Sequence, residues 1–299
     1  MKLRDNFHIF AIITIVFWSL AYVFTRLALK HFSPLSLGAL RYFIASISLF
    51  ALILFTKIKI PNIKDIKWFI LAGLFGFSFY ILTFNIGSVT VSASTSSLII
   101  ATVPVITTLM ARILYKEKLE IIQYFAIIIQ FIGVIVLTLM NGIFSINIGL
   151  IWLILASLLL SIYNLLQRKL TKKYSALQTS VFSIWFGTII LLTFIPNSIV
   201  EIKNAPMIQI FYLFFLGIFS SGIAYISWTY ALSKSKNVSS VTNYMFLTPF
   251  LATILGILLA KEAPDLATIV GGGIIVIGIL IYNFFGRMYM KIKTRNNVT

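Results

Sequence analysis

The sequence predicts an all-α integral membrane protein with ten transmembrane helices, laid out as two five-helix repeats of inverted topology over residues 1–144 and 145–299. Three observations lead there. First, 60% of the 299 residues are hydrophobic and only 10% are charged, against about 45–50% and about 25% in soluble chains. Second, the charges fall in short links between ten apolar runs of about 20 residues, the length that crosses roughly 30 Å of hydrocarbon at about 1.5 Å per residue. Third, the chain repeats itself. "TVPVITTLMARILYKEKLEIIQYFAIIIQFIGVIV", from residue 102, returns 145 residues later as "LTPFLATILGILLAKEAPDLATIVGGGIIVIGIL".

The run at 9–29 is too long for the core of a signal peptide and no small-x-small cleavage site follows it, so it is a membrane helix. Ser19, Tyr22 and Arg26 share one of its faces. The run at 35–56 begins behind Pro34 and aligns Pro34, Gly38, Arg41, Ala45 and Ser48 at helical spacing, a small-residue face that turns into the bundle. The third, 68–87, puts Gly73, Gly76 and Tyr80 on one side and carries Asn85. The fourth, 93–114, is kinked where Pro104 removes a backbone hydrogen bond, and the fifth, 121–140, holds Gly133. In the second half the run at 148–167 stripes Ser157, Ser161 and Asn164 ahead of Arg168, the run at 177–198 carries Ser183, and the run at 208–231 presents Ser221, Tyr225 and Trp228. The ninth, 240–260, has Asn243 and a kink at Pro249. The tenth, 267–285, has Gly271-Gly272-Gly273, which suits close helix contact because no P-loop Lys accompanies it.

A net charge of +17 invites a nucleic-acid reading, but its distribution argues for membrane orientation. With a cytoplasmic N-terminus, nineteen of the 24 Lys and Arg face the inner side and only Arg26, Lys30, Lys203 and Lys261 the outer side, with Arg41 inside the membrane. That split places both termini in the cytoplasm by the positive-inside rule. No soluble aromatic platform is present to hold bases, so no nucleic-acid partner is expected. The absence of Cys excludes disulfide and thiol chemistry.

At an offset of 145 Tyr80 matches Tyr225, Pro104 matches Pro249, Lys116-Glu117 matches Lys261-Glu262 and Gly133 matches Gly278; earlier in each half an offset of 142 pairs Ser19 with Ser161, Arg26 with Arg168 and Ser33 with Ser175. Five helices per half is odd, so equivalent helices cross in opposite directions. Such inverted duplication characterises secondary transporters, where one fold in two orientations gives two related conformations. The stretch "FWSLAYVFTRLALKHFSPLSLGALRYF", the Pro-to-Lys-Glu stretch and the late Gly, with their second copies, resemble the EamA-type family of the drug/metabolite transporter superfamily over almost the whole chain. The chain departs from that pattern in Lys116-Glu117, where Gly-Glu is common, and in Leu160, where Trp is frequent. The resemblance implies ten helices in two five-helix repeats, and export or permeation of amino acids and related metabolites across a prokaryotic cytoplasmic membrane.

Arg41 lies about 10 Å inward from Pro34, where a guanidinium costs at least about 2.5 kcal/mol unless it faces protein or water. It either attracts a carboxylate or phosphate with paired donors or bonds carbonyls of a neighbouring helix. Ser19, Tyr22 and Asn164 form polar stripes at equivalent places. Tyr80, Tyr225 and Trp228, joined by Trp18 of the first-helix motif, offer aromatic faces to a substrate. Asn85 and Asn243 complete the candidate substrate-binding set. Arg26 with Glu262, and Arg168 with Glu117, are expected to pair as outer and inner gates, with Pro104 and Pro249 as hinges. All seven acids fall at helix ends or links, so no mid-membrane carboxylate serves a proton relay, and neither catalytic residues, a metal site nor a cofactor is expected. The function expected is transport of small polar metabolites, amino acids or similar zwitterions foremost, by alternating access. An organic-cation or drug permease and a membrane scaffold are the alternatives. The partners expected are the lipid bilayer and a small-molecule substrate.

Overall fold

The computed structural model describes residues 7–56, 58–115, 121–140, 147–234 and 243–282, and among these every regular element is helical. The rods are α1 (Phe7–Ala28), α2 (Pro34–Leu54), α3 (Ile63–Ser88), α4 (Ala93–Leu114), α5 (Ile121–Leu137), α6 (Ile148–Gln167), α7 (Leu177–Lys203), α8 (Met207–Trp228), α9 (Leu247–Ala260) and α10 (Leu266–Leu280). Seven are long and apolar enough to cross a membrane, and α5, α9 and α10 are shorter apolar helices. Several starts are written locally: Ser33, Ser92, Asn147, Ser175 and Asp265 each turn a side-chain oxygen onto an N–H of the first turn.

The rods are not uniform. In α4 the helix of Ala93–Ile100 stops at Ala101–Thr102 and restarts at Val103. Pro104 has no N–H for the carbonyl four residues back, so the chain breaks just upstream of it rather than bending at it. Pro249 lies in the first turn of an α-helix that follows a 3₁₀ turn at Asn243–Phe246. Wider π turns occur at Leu74–Ser78 in α3, Phe215–Ile223 in α8 and Gly256–Ala260 in α9.

Because lipid tails are as apolar as leucine, association rests on close backbone approach and on polar links. The α5/α10 seam shows the first: a Cβ on Gly133 would lie 2.9 Å from Gly271 O, and one on Gly278 would lie 2.9 Å from Ala126 O. Residue numbers fall on one helix as they rise on the other, so the two are antiparallel. The Gly271–Gly273 run behaves as expected at Gly271 and at Gly272, which meets Leu98, whereas Gly273 has nothing within 4 Å. In the α3/α7 seam a Cβ on Gly73 would lie 2.6 Å from Gly187 N, and Ser78 Oγ donates to Gly187 O at 2.8 Å. With Asp65 meeting Lys173 at the start of the same seam, these helices run parallel.

The α2/α7 pair is antiparallel, from Ser36–Glu201 to Ser46–Thr188, and α1/α8 likewise, from Phe10–Tyr230 to Phe24–Tyr212. Parallel contacts join α2 to α8 and α4 to α6, where Ser157 and Ser161 donate to Ile99 O and Val103 O at 3.3 Å.

Candidate functional site

α8 can approach α2 because Gly217 carries no side chain; a Cβ there would sit 2.6 Å from Ile44 Cγ2 and 3.1 Å from Arg41 O. The approach brings Arg41, 7% exposed, to the π turn of α8, where its Nε donates to Ser221 Oγ at 2.8 Å. Among the described residues this is the guanidinium's one hydrogen bond, so both Nη groups stand without an acceptor. Among the described residues no carboxylate balances the charge. Asp65, Glu201, Glu262 and Asp265, the described acids, all lie at helix ends.

Around Arg41, within electrostatic reach, stand Tyr22 of α1, Tyr42 of α2, Tyr80 of α3 and Tyr225 of α8. Trp18 meets Tyr225 and Trp228 with ring centroids 5.5 and 5.2 Å apart, and Phe84 links Tyr22 to Tyr80 at 5.5 and 5.8 Å. Trp18, Tyr22, Tyr80, Tyr225 and Trp228 are half-buried.

A second constellation caps one end of the bundle. Arg26 Nε donates to Glu262 Oε1 at 2.7 Å. Its Nη1 donates to the last carbonyls of α3, Ser88 O at 3.1 Å and Val89 O. Glu262 Oε2 accepts from Ala93 N, the first residue of α4, at 3.3 Å. The cation thus sits on the negative end of α3 and the anion on the positive end of α4, each the favourable sense of the helix dipole. Glu262 is aimed by its neighbour: Lys261 has φ 56° and ψ 32°, the left-handed region, and this fold-back lets Glu262 N donate to Gly256 O at 3.1 Å. The pair forms one wall of a crevice of about 300 Å³ with Thr90, Ser92, Asn147 and Thr268.

The model of the EamA-like transporter family matches residues 6–139 and again 147–284. The chain belongs to the EamA-like transporter family. Among the relatives of this EamA-like chain, YdfC of Bacillus subtilis, named an uncharacterized transporter, is 31% identical over 94% of this chain and 90% of its own length. A protein of Streptantibioticus cattleyicolor named a probable terminal-alkyne amino-acid exporter is 27% identical over 91% of each chain. One crystal structure shares the fold with a TM-score of 0.60 at 18% identity, covering 91% of this chain and 98% of its own. The named relatives are transporters, not enzymes.

In this EamA-like transporter Arg41 and the ring cluster of Trp18, Tyr22, Tyr80, Tyr225 and Trp228 lie together, but not every candidate joins them. Asn85 is fully buried and ties α3 to the start of α2, its Nδ2 donating to Pro34 O at 3.0 Å. Asn164 lies on the α4/α6 seam, 3.4 Å from Thr107 Oγ1. Ser19 is fully buried with an unpartnered hydroxyl. Glu117 and the side chains of Arg168 and Asn243 lie outside the described residues. One expectation needs correction: Gly73, Gly76 and Tyr80 do not share a side. Gly73 meets α7, Gly76 meets Tyr163 of α6 and Tyr80 stacks on Phe84, because the π turn at Leu74–Ser78 breaks the regular helical register. That turn also buries Phe77, which touches Tyr42, Tyr163 and Tyr225 at 5.5, 5.0 and 5.5 Å. Tyr42 and Phe77 are missing from a reading by helical spacing; the signal for Tyr42 is its place beside an intramembrane Arg.

Proposed function

We propose that the protein moves small zwitterionic metabolites, amino acids foremost, outward across a prokaryotic cytoplasmic membrane by alternating access. The observation that carries this is Arg41: a membrane-embedded guanidinium with one hydroxyl acceptor and, among the described residues, no acceptor for its two Nη groups, beside half-buried aromatic rings in a bundle whose described acids stand at its ends. A planar fork of this kind holds a substrate carboxylate through paired donors, and the rings take an apolar body or, through their faces, an ammonium group. The terminal-alkyne amino-acid exporter among the relatives supports the substrate class. The rings alone would also suit an organic cation, the second reading, against which Arg41 places a like charge.

Ten crossings in two inverted repeats with cytoplasmic termini are part of the proposal. The family model matches once in each half. The observed helix directions are those that strict alternation requires, and contacts exchange under the repeat: α1/α8 with α3/α6, and α2/α8 with α3/α7. Arg26–Glu262 acts as the outer gate and Arg168–Glu117 as the inner one, with the helix break at Pro104 and the 3₁₀-to-α junction before Pro249 as hinges. Binding is tested by thermal shift of the purified protein against neutral amino acids, quaternary amines, nucleosides and sugars, followed by counterflow in proteoliposomes. Stabilisation by amino acids that disappears in Arg41→Gln supports the reading; stabilisation by quaternary amines alone overturns it.

A further inference from the structure

The α2–α3 link and the α6–α7 link meet at one end of the bundle. Tyr174 Oη accepts from Asn62 N at 3.1 Å and donates to Asp65 Oδ2 at 2.5 Å, and Gln178 Nε2 donates to Lys59 O at 2.6 Å. The lysines so gathered are unevenly employed. Lys173 pairs with Asp65 at 2.5 Å, which raises the Lys173 pKa, and Lys169 Nζ lies 3.2 Å from the centroid of the Trp68 ring. Lys59, Lys64, Lys67 and Lys172 are exposed and pair with no acid among the described residues.

Between these cations stand Phe55, Ile60 and Ile63, 88%, 82% and 81% exposed. Apolar side chains alternating with unpaired lysines at a helix end suit the boundary of a bilayer, where the apolar groups enter the acyl layer and the ammonium groups reach the headgroups. The other end of the bundle repeats the backbone but not the charge. There the Ser33 cap of α2 mirrors the Ser175 cap of α7, yet Glu201 occupies Ser33, accepting from its N at 2.9 Å and its Oγ at 2.8 Å. Only Lys30 and Lys203 stand nearby in the links.

We propose that the paired links form a binding site for the headgroup phosphate of anionic phospholipids, with Lys59, Lys64, Lys67 and Lys172 on the phosphate and Ile60 and Ile63 at the acyl boundary. The inner leaflet follows from the topology proposed above; the site itself is independent of the substrate. The full chain is reconstituted into phosphatidylcholine/phosphatidylglycerol nanodiscs at low ionic strength, and retained lipids are counted by native mass spectrometry. Wild type is expected to retain phosphatidylglycerol selectively. Each lysine contributes about fivefold, so Lys64→Gln lowers the preference about fivefold and Lys59→Gln/Lys64→Gln/Lys67→Gln about 100-fold, while Lys30→Gln/Lys203→Gln leaves it intact. Ile60→Ser/Ile63→Ser should weaken retention with every charge in place. Unchanged retention in both Lys64→Gln and the triple variant would overturn the site, as would displacement of the lipid by millimolar glycerol phosphate, which would mark a soluble-anion site. Lipid counting involves no transport, so failure of the substrate reading shows separately.

Discussion

Glu262→Gln is expected to open the outer face. In the structure the Glu262 carboxylate holds α1 through Arg26 and the start of α4 through Ala93 N, while Arg26 holds the end of α3. The glutamine keeps the shape and removes the charge. The two side chains are 25% and 20% exposed, neither open to water nor sealed from it. An exposed pair is worth about 0–1 kcal/mol, and breaking a fully buried one costs about 3–5 kcal/mol. Intermediate burial places this pair near 2 kcal/mol, a change of about 30-fold in a two-state population. The chain has no Cys, so spin labels at Lys30→Cys and Ala263→Cys, both exposed, report the gap between the α1–α2 and α9–α10 links. The distance distribution should gain a longer component in Glu262→Gln, and Glu117→Gln should act in the opposite sense. An unmoved distribution in Glu262→Gln, or the same shift in both variants, would refute the gate.

Arg41→Gln should cost about 100-fold in affinity for a carboxylate substrate and Arg41→Lys about 10-fold, taking about 1.5–3 kcal/mol per charged hydrogen bond; equal counterflow by wild type and Arg41→Gln would remove Arg41 from the binding site. Gly271→Leu should destabilise the fold by at least about 1–3 kcal/mol because its Cβ would lie 2.7 Å from Leu137 N, whereas Gly273→Leu should be neutral, a contrast read by thermal unfolding. Lys261→Gly should be neutral or stabilising by up to about 1 kcal/mol, since φ 56° strains any side chain, while Lys261→Val should destabilise. A Cys at Asn204 should react with impermeant reagents from outside and one at Lys172 only after permeabilisation; the reverse pattern would invert the topology.

The Arg26–Glu262 contact is legible in the sequence because charge and repeat point to the same two residues, and a charge at a helix end needs little geometry to find its partner. Arg41 is legible for another reason: an arginine inside an apolar run has to turn inward, whatever the neighbours. The π turns leave no comparable trace. Their residues, "LFGFS" and "FLGIFSSGI", read as ordinary apolar helix, so the loss of register that sends Gly73, Gly76 and Tyr80 to three neighbours is invisible to a helical wheel. Lys261 is hidden in the same way, since lysine does not announce a left-handed φ as glycine would. Tyr42 escapes because successive residues of a helix point about 100° apart, yet α8 on one side and Phe77 on the other bring both Arg41 and Tyr42 to the same cluster.

The two halves share a frame and differ around Arg41. Gly133 and Gly278, Ser33 and Ser175, and Tyr80 and Tyr225 are preserved between them, but Arg41 is answered by Ser183, Trp18 by Leu160 and Tyr22 by Asn164. A perfectly duplicated frame would hold its outward-open and inward-open forms at equal energy, and a perfectly duplicated cavity would place two guanidiniums near one another without a counterion. Breaking the symmetry at Arg41 avoids that repulsion and, on the proposed function, leaves one cation for one substrate anion. The Ser183 hydroxyl, buried and unpartnered, marks where the second charge would have stood. With this asymmetry at Arg41, the balance between the two proposed forms passes to the proposed gates. That is why a single neutral substitution at Glu262 or Glu117, far from the bound substrate, is expected to decide which face is open.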